Sequence, residues 1–186
     1  MWQTLLKWDF FLFYLINIKG RNVLFDAILP FWRDEFFWMP LYFFAILFIL
    51  LNFKQKATGI LLFAAITILI SDQTAGIIKE IVQRARPCNS PEWQDLMHLL
   101  VPCGRGKSFI SAHATNHFAI AVYVGLLIPK INNYLKYLPM VLLIWAASIG
   151  YGQVYVGLHY PADIIAGAII GTMIGTITAF CAKKYL

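Results

Sequence analysis

The sequence predicts an all-α integral membrane protein, a helical bundle of about five transmembrane helices preceded by an N-terminal interfacial helix. Three observations predict it. Of the 186 residues, 60% are hydrophobic and only 13% are charged, about half the charged share of an average soluble domain. The apolar residues gather into long runs separated by short polar segments. Six Trp, nine Tyr and fifteen Phe suit the aromatic belts of a membrane interface. The net charge of +6 is scattered between the apolar runs instead of forming one basic stripe. That pattern fits membrane electrostatics and argues against a nucleic-acid partner.

The elements follow in order. Residues 5–18 (LLKWDFFLFYLINI) are too few to cross about 30 Å of hydrocarbon and suit a helix lying in the interface. Phe10 to Ile18 is short and aromatic, follows Asp9 and lacks a small-residue cleavage site, so it does not read as a cleaved signal peptide. Met1 onwards is therefore read as mature chain, and 1–186 as one membrane-embedded domain whose first 35 residues are interfacial. The segment 22–33 contains Pro30 and reads as similarly broken. Residues 36–53 form the first expected span, entered at Pro40, and 58–78 the second. Ser71, Asp72, Gln73 and Thr74 interrupt the second span and are expected to face the bundle interior, because polar groups in lipid are costly. A polar stretch, 79–109, follows. Spans three, four and five are expected over 114–129, 137–151 and 161–182. In the last, Gly167, Gly171 and Gly175 are spaced four apart, which puts small residues on one face and permits close helix contact.

Five crossings alternate the connections. One side receives Lys54, Lys56, Lys130, Lys136, Lys183 and Lys184 with no acidic residue, and the positive-inside rule makes it cytoplasmic. The other side receives the N-terminal region, the 79–109 loop and the 152–160 turn. Three polar clusters from distant parts of the sequence converge there.

The first cluster is His159–Tyr160–Pro161–Ala162–Asp163. Pro161 fits the first turn of a helix, and Asp163 in that turn stays ionised beside the positive dipole end. Its carboxylate can reach back to one ring nitrogen of His159 and leave the other as nucleophile or base. The plainer alternative is a capping Asp with a hydrogen-bonded His. The second cluster, Ser111–Ala112–His113, opens a span whose first-turn N–H groups favour an anion, with His113 placed to deliver a proton. A Ser cap and an interfacial His are the alternative. The third holds Lys79 and, seven residues on, Arg86–Pro87. An Arg fork grips phosphate oxygens in pairs and Lys adds a point charge, whereas solvated charges at a helix end are the alternative. Together the clusters favour phosphate oxygens, and the two cations disfavour a metal ion.

At these residues the chain resembles the type 2 phosphatidic acid phosphatase (PAP2) superfamily. The first family motif, a Lys, six residues and Arg–Pro, corresponds to KEIVQRARP from Lys79 to Pro87. The second, Pro–Ser–Gly–His, corresponds to Ile110–Ser111–Ala112–His113. The third, Ser–Arg, five residues, His, three residues and Asp, corresponds to GQVYVGLHYPAD from Gly152 to Asp163. The resemblance covers roughly residues 79–175. It implies a cofactor-free and metal-free phosphohistidine mechanism. His159 attacks phosphorus, Asp163 orients it, and His113 protonates the departing oxygen and later activates water. Lys79, Arg86, Ser111 and the N–H groups at Ala112 stabilise the developing charge. It also implies a bacterial inner-membrane enzyme with its site facing the periplasm.

Two departures stand out. Ala112 replaces a family Gly. Gly152–Gln153 replaces Ser–Arg, so Gln153 offers phosphate an amide in place of a charge. Arg105 or Lys107, just before the second motif, is expected to supply the missing cation, with a loss above about tenfold on changing one of them to Ala. Cys88 and Cys103 lie in the 79–109 loop, and a periplasmic location would allow a disulfide closing it over the site. Cys181 lies at the opposite face.

A membrane lipid phosphate is the implied substrate: undecaprenyl diphosphate, phosphatidic acid or phosphatidylglycerol phosphate, with a lipid A phosphate or lipid-to-lipid phosphotransfer as alternatives. The short chain has no separate domain for a large sugar headgroup, which favours an isoprenyl diphosphate or a simple glycerolipid phosphate. A non-catalytic transport or structural role is the alternative of another class. Transport needs a polar path across the membrane, and here only residues 72–74 intrude deeply.

Overall fold

Long apolar runs with few Gly or Pro interruptions dictate helices, and the computed structural model, which describes residues 2–131 and 135–186, is helical throughout its regular elements. Helix α1 (Trp2–Phe13) runs into a π-helical segment, Tyr14–Lys19. Helix α2 (Val23–Trp32) starts at Asn22, whose side chain accepts from the Phe25 N–H. It continues through Pro30 instead of breaking there. Helices α3 (Met39–Phe53) and α4 (Ala57–Val82) meet at a 3-10 turn, Lys54–Lys56. Helices α5 (Ala112–Ile131), α6 (Leu138–Tyr155) and α7 (Pro161–Tyr185) complete the bundle. Residues 132–134, in the expected 130–136 turn, and the Lys130 side chain lie outside what is described.

The expectation of about five spans is corrected. Among the described residues, three helical runs are long and apolar enough to cross a membrane: Phe36–Trp93, Leu138–Tyr155 and Pro161–Tyr185. The expected spans at 36–53 and 58–78 fall inside the first run. Within it α3 has only 15 residues, about 22 Å of rise against roughly 30 Å of hydrocarbon. Helix α5, expected as a span over 114–129, has 20 residues, but His113, Thr115, Asn116 and His117 dilute the hydropathy of its first two turns.

The directions of the helices bring the polar clusters together. A Cβ on Gly167 would lie 2.9 Å from the Ser111 carbonyl oxygen, and Cβ atoms on Gly171 and Gly175 would collide with the carbonyls of Thr115 and Ala119. Positions rise together in steps of four, so α5 and α7 run parallel, with their backbones as close as only glycine allows. Helix α4 runs antiparallel to both. Its Ser71 hydroxyl donates to Asn116 Oδ1 (2.6 Å), Thr67 donates to Thr178 Oγ1 (2.8 Å), and the Ile60 carbonyl accepts from Tyr123 (2.8 Å). Asp72 Oδ1 accepts from Asn116 (3.3 Å), whereas Gln73 stays exposed. The expected inward orientation of residues 71–74 therefore holds for Ser71 but not for Gln73.

The opposite face of α7 presents Ile165, Ile169, Met173, Ile177 and Phe180 outwards, an apolar stripe that suits lipid. Gly171→Leu is expected to cost about 3 kcal/mol or more by forcing α5 and α7 apart. Gly76→Leu, where a new Cβ meets no atom within 4 Å, is expected to be tolerated. Thermal melting of both variants in detergent checks this.

Candidate active site

The C-terminal end of α4, the start of α5, the end of α6 and the start of α7 gather at one end of the bundle. Helix α4 stops at Val82 because Gln83 adopts the left-handed conformation (φ 54°), with its N–H bonded to the Lys79 carbonyl. Lys79 and Arg86 therefore do not lie on one continuous helix. Residues 84–86 instead run beside 106–108, tied by the Ser108 N–H to the Arg84 carbonyl (2.8 Å) and Arg86 Nε to the Gly106 carbonyl (3.3 Å). The Cys88–Cys103 disulfide, with Cα atoms 5.9 Å apart, closes this loop. Cys181 is free and exposed.

His159 is almost wholly buried, and its backbone N–H bonds the Gln153 carbonyl (3.3 Å). Its Nδ1 lies 3.6 Å from Asp163 Oδ2, and the Ser108 hydroxyl sits beside both atoms. Ser108 donates to Asp163 Oδ2, so its oxygen is left to accept from His159 Nδ1 at 3.4 Å. Facing these two acceptors, Nδ1 carries the proton and Nε2 keeps its lone pair. Burial holds His159 below its ordinary imidazole range, the nearby Asp163 offsets part of this, and the charges of Arg86 and Lys79 lower it further. The ring is thus neutral and nucleophilic near pH 7.

Asp163 is held from three further directions. The Tyr160 N–H donates to Oδ2 (2.9 Å), Arg84 Nη1 donates to Oδ1 (2.7 Å), and the Asp163 carbonyl accepts from the Ser111 N–H (3.2 Å). Arg84 also pairs with Asp9 Oδ2 (2.6 Å) and lies over the Tyr160 ring (4.0 Å). Asp9 Oδ1 accepts from the Ala162 N–H (2.7 Å), so a carboxylate from α1 caps the first turn of α7. The N-terminal segment is therefore built into the site.

The anion-facing groups sit opposite. Ser111 Oγ accepts from the Ala114 N–H (3.4 Å) as the cap of α5. The N–H groups of Ala112 and His113, in the first helical turn, have no partner within their own helix. Lys79, Arg86 and His113 are half-buried. His113 stands at the entry of α5, outside the three long spans, and is pushed down to about 3 by burial first and then by neighbouring cationic and His groups. Its ring stacks at 6.2 Å on His117, whose Nδ1 meets the His113 carbonyl (2.7 Å) and whose Nε2 meets Tyr42 (3.3 Å). Among the described residues no group of three or more His, Cys, Asp and Glu forms a metal-ligand set.

Lys79, Arg86, Ser111, Ala112, His113, His159 and Asp163 all come to this end of the bundle. Gln153 behaves differently: its amide donates to the Arg33 carbonyl (3.5 Å) and its Oε1 is buried without a partner. Arg105 is exposed and Lys107 half-buried on the 105–107 turn, neither bonded to the His159–Asp163 pair. Sequence reasoning missed Ser108, Arg84, Asp9, His117 and Arg33. Arg84 carried a faint signal, two residues before Arg86. Nothing in the local sequence marks Asp9, 153 residues before Ala162, from whose N–H it accepts.

The model of the PAP2 superfamily matches residues 57–185, more than two thirds of the sequence. The chain belongs to this superfamily. It is 36% identical over 168 residues to the lipid A 4'-phosphatase of Bacteroides thetaiotaomicron, covering 83% of this chain and 72% of that protein. The crystal structure of Aquifex aeolicus LpxE superposes with a TM-score of 0.68 at 26% identity, over 90% of this chain and 92% of that one. A PAP2-type phosphatidylglycerolphosphate phosphatase from Bacillus subtilis shares the fold, with a TM-score of 0.75 at 17% identity over 97% and 87% of the two chains. This PAP2 protein is a multi-pass membrane enzyme with the general lipid phosphatase activity of its superfamily.

Proposed function

We propose that the protein hydrolyses a lipid phosphate through a phosphohistidine at His159, without a metal. The observation that carries this reading is the buried His159 ring, its Nδ1 proton directed to Ser108 and Asp163, within reach of the Lys79 and Arg86 charges. His159 Nε2 attacks phosphorus as the ester oxygen leaves. His113 gives that oxygen its proton, then takes one from the water that cleaves the P–N bond and frees inorganic phosphate. An unoccupied site keeps His113 unprotonated. A bound phosphate anion supplies the opposite charge that raises it and lets it serve as acid. Lys79, Arg86 and the first-turn N–H groups of α5 stabilise the equatorial oxygens.

The substrate reading favours a lipid phosphomonoester. Similarity to the Bacteroides thetaiotaomicron lipid A 4'-phosphatase supports lipid A, which the short chain by itself did not favour. Isoprenyl diphosphate and glycerolipid phosphates remain in the class. The lysines at the far end of the bundle, Lys54, Lys56, Lys183 and Lys184, support the reading that this end is cytoplasmic and that the site faces the periplasm.

Phosphate release from purified full-length protein tests the function, with lipid A, phosphatidic acid, phosphatidylglycerol phosphate and undecaprenyl diphosphate as substrates. Release from at least one lipid, absent in His159→Ala, is the expected result. Labelled products separate hydrolysis from transfer to a second lipid. Neither release nor transfer from any of the four would sink the reading.

A further inference from the structure

The family pattern places an Arg where this chain has Gln153, and Gln153 turns its amide away to a backbone carbonyl. The phosphate is left one guanidinium short. Arg84 cannot fill the place, because its two terminal nitrogens are engaged by Asp9 and Asp163. Resting on the phosphatase reading above, we propose that Arg33, at the C-terminal end of α2, supplies the missing guanidinium and binds the substrate phosphate beside Lys79, Arg86 and His113.

Four observations converge on Arg33. First, its position is made by the same departure it compensates. The Arg33 Cβ lies where a Cβ on Gly152 would be 3.2 Å away. The family Ser at that place would crowd Arg33, whereas Gly152 leaves room. Second, Gln153 Nε2 donates to the Arg33 carbonyl, tying Arg33 to the residue that stands where the family guanidinium would be. Third, Arg33 Nε is buried and has no hydrogen-bond partner. A buried guanidinium N–H is costly to leave unmet, and a phosphate oxygen is the acceptor it suits. Although Asp34 and Glu35 follow it in sequence, Arg33 forms no ion pair among the described residues, in contrast to Arg84. Fourth, its charge is felt at both His113 and Arg86. After burial, Arg33 is the next reason that His113 is pushed down. The helix end also suits a cation, since α2 ends at Arg33 with its negative dipole pole.

Binding of inorganic phosphate to the full-length protein in detergent tests the assignment without depending on the lipid. Arg33→Ala is expected to weaken binding by about 10–100-fold, the worth of one charge-assisted contact, and to lower kcat/KM on the active lipid. Arg33→Lys is expected to recover part of the loss. The double variant Arg33→Ala, Gln153→Arg is expected to recover more, by returning a guanidinium from α6 into the space that Arg33 vacates. A purely structural Arg33 would not be rescued in this way, and unchanged melting of Arg33→Ala separates lost binding from lost folding. Equal phosphate binding by wild type and Arg33→Ala overturns the assignment and leaves the phosphatase reading standing. If Arg33→Ala binds weakly but neither charge-returning variant recovers, the assignment fails as well. No phosphate binding by wild type overturns both. The expected binding changes with neither hydrolysis of nor transfer from any of the four lipids leave Arg33 as an anion contact and sink the phosphatase reading.

Discussion

Replacing His159 by alanine is expected to lower kcat by at least about 10⁴-fold, roughly 5.5 kcal/mol of barrier. The variant loses the buried imidazole whose Nδ1 faces Ser108 and Asp163, so no phosphoenzyme forms. Acid-quench trapping with labelled substrate should find phosphohistidine in wild type and none in His159→Ala. Retained turnover without a trapped phosphoenzyme would mean direct attack by water. Asp163→Asn provides a graded companion. It removes the charge that raises the His159 pKa against burial, so His159 titrates lower still. The acid limb of kcat/KM is then expected at lower pH than in wild type, because the nucleophile stays unprotonated further down. Activity falls by about 10²–10⁴-fold, since an amide donor facing Ser108 disturbs the proton order that selects the tautomer. A limb that moves to higher pH would contradict the arrangement.

Arg84→Ala is expected to destabilise the fold by about 3–5 kcal/mol, the usual cost of removing one partner from a buried ion-pair network. Arg84 joins Asp9 (2.6 Å) to Asp163 (2.7 Å), and both carboxylates are buried. Without it, two buried carboxylates lose their shared cation. The first turn of α7 and helix α1 then lose the contact that locks them together. Thermal melting in detergent and kcat should therefore fall together. Asp9→Asn is expected to cost less, because Arg84 keeps its pairing with Asp163 and the Asn side-chain oxygen still accepts from the Ala162 N–H. Equal melting temperatures for Arg84→Ala and wild type would show that solvent reaches this network.

The sequence by itself determined the helical class, the membrane setting and the candidate reacting residues. Lys79, Arg86, Ser111, His113, His159 and Asp163 were legible because each lies within a short motif at the end of an apolar run, where spacing along the chain carries the chemistry. The Gly167–Gly171–Gly175 face was legible for the same reason, since a four-residue step is one helical face. Span number was not legible. It depended on how the polar first turns of α5 weigh against its apolar remainder, and on whether α3 and α4 count as one helical run. The partners that hold the reacting groups in place were decided by tertiary structure alone. Asp9 reaches the α7 cap, Ser108 stands beside both His159 and Asp163, and Arg33 lies over Gly152. Each of these contacts joins residues 50 or more positions apart, and no local periodicity records which distant side chain will satisfy a buried charge. The physical reason is the cost of burial. A buried carboxylate or imidazole must find its partners wherever the packing of helices brings them, and here the close approach of α5 to α7 fixes where that is.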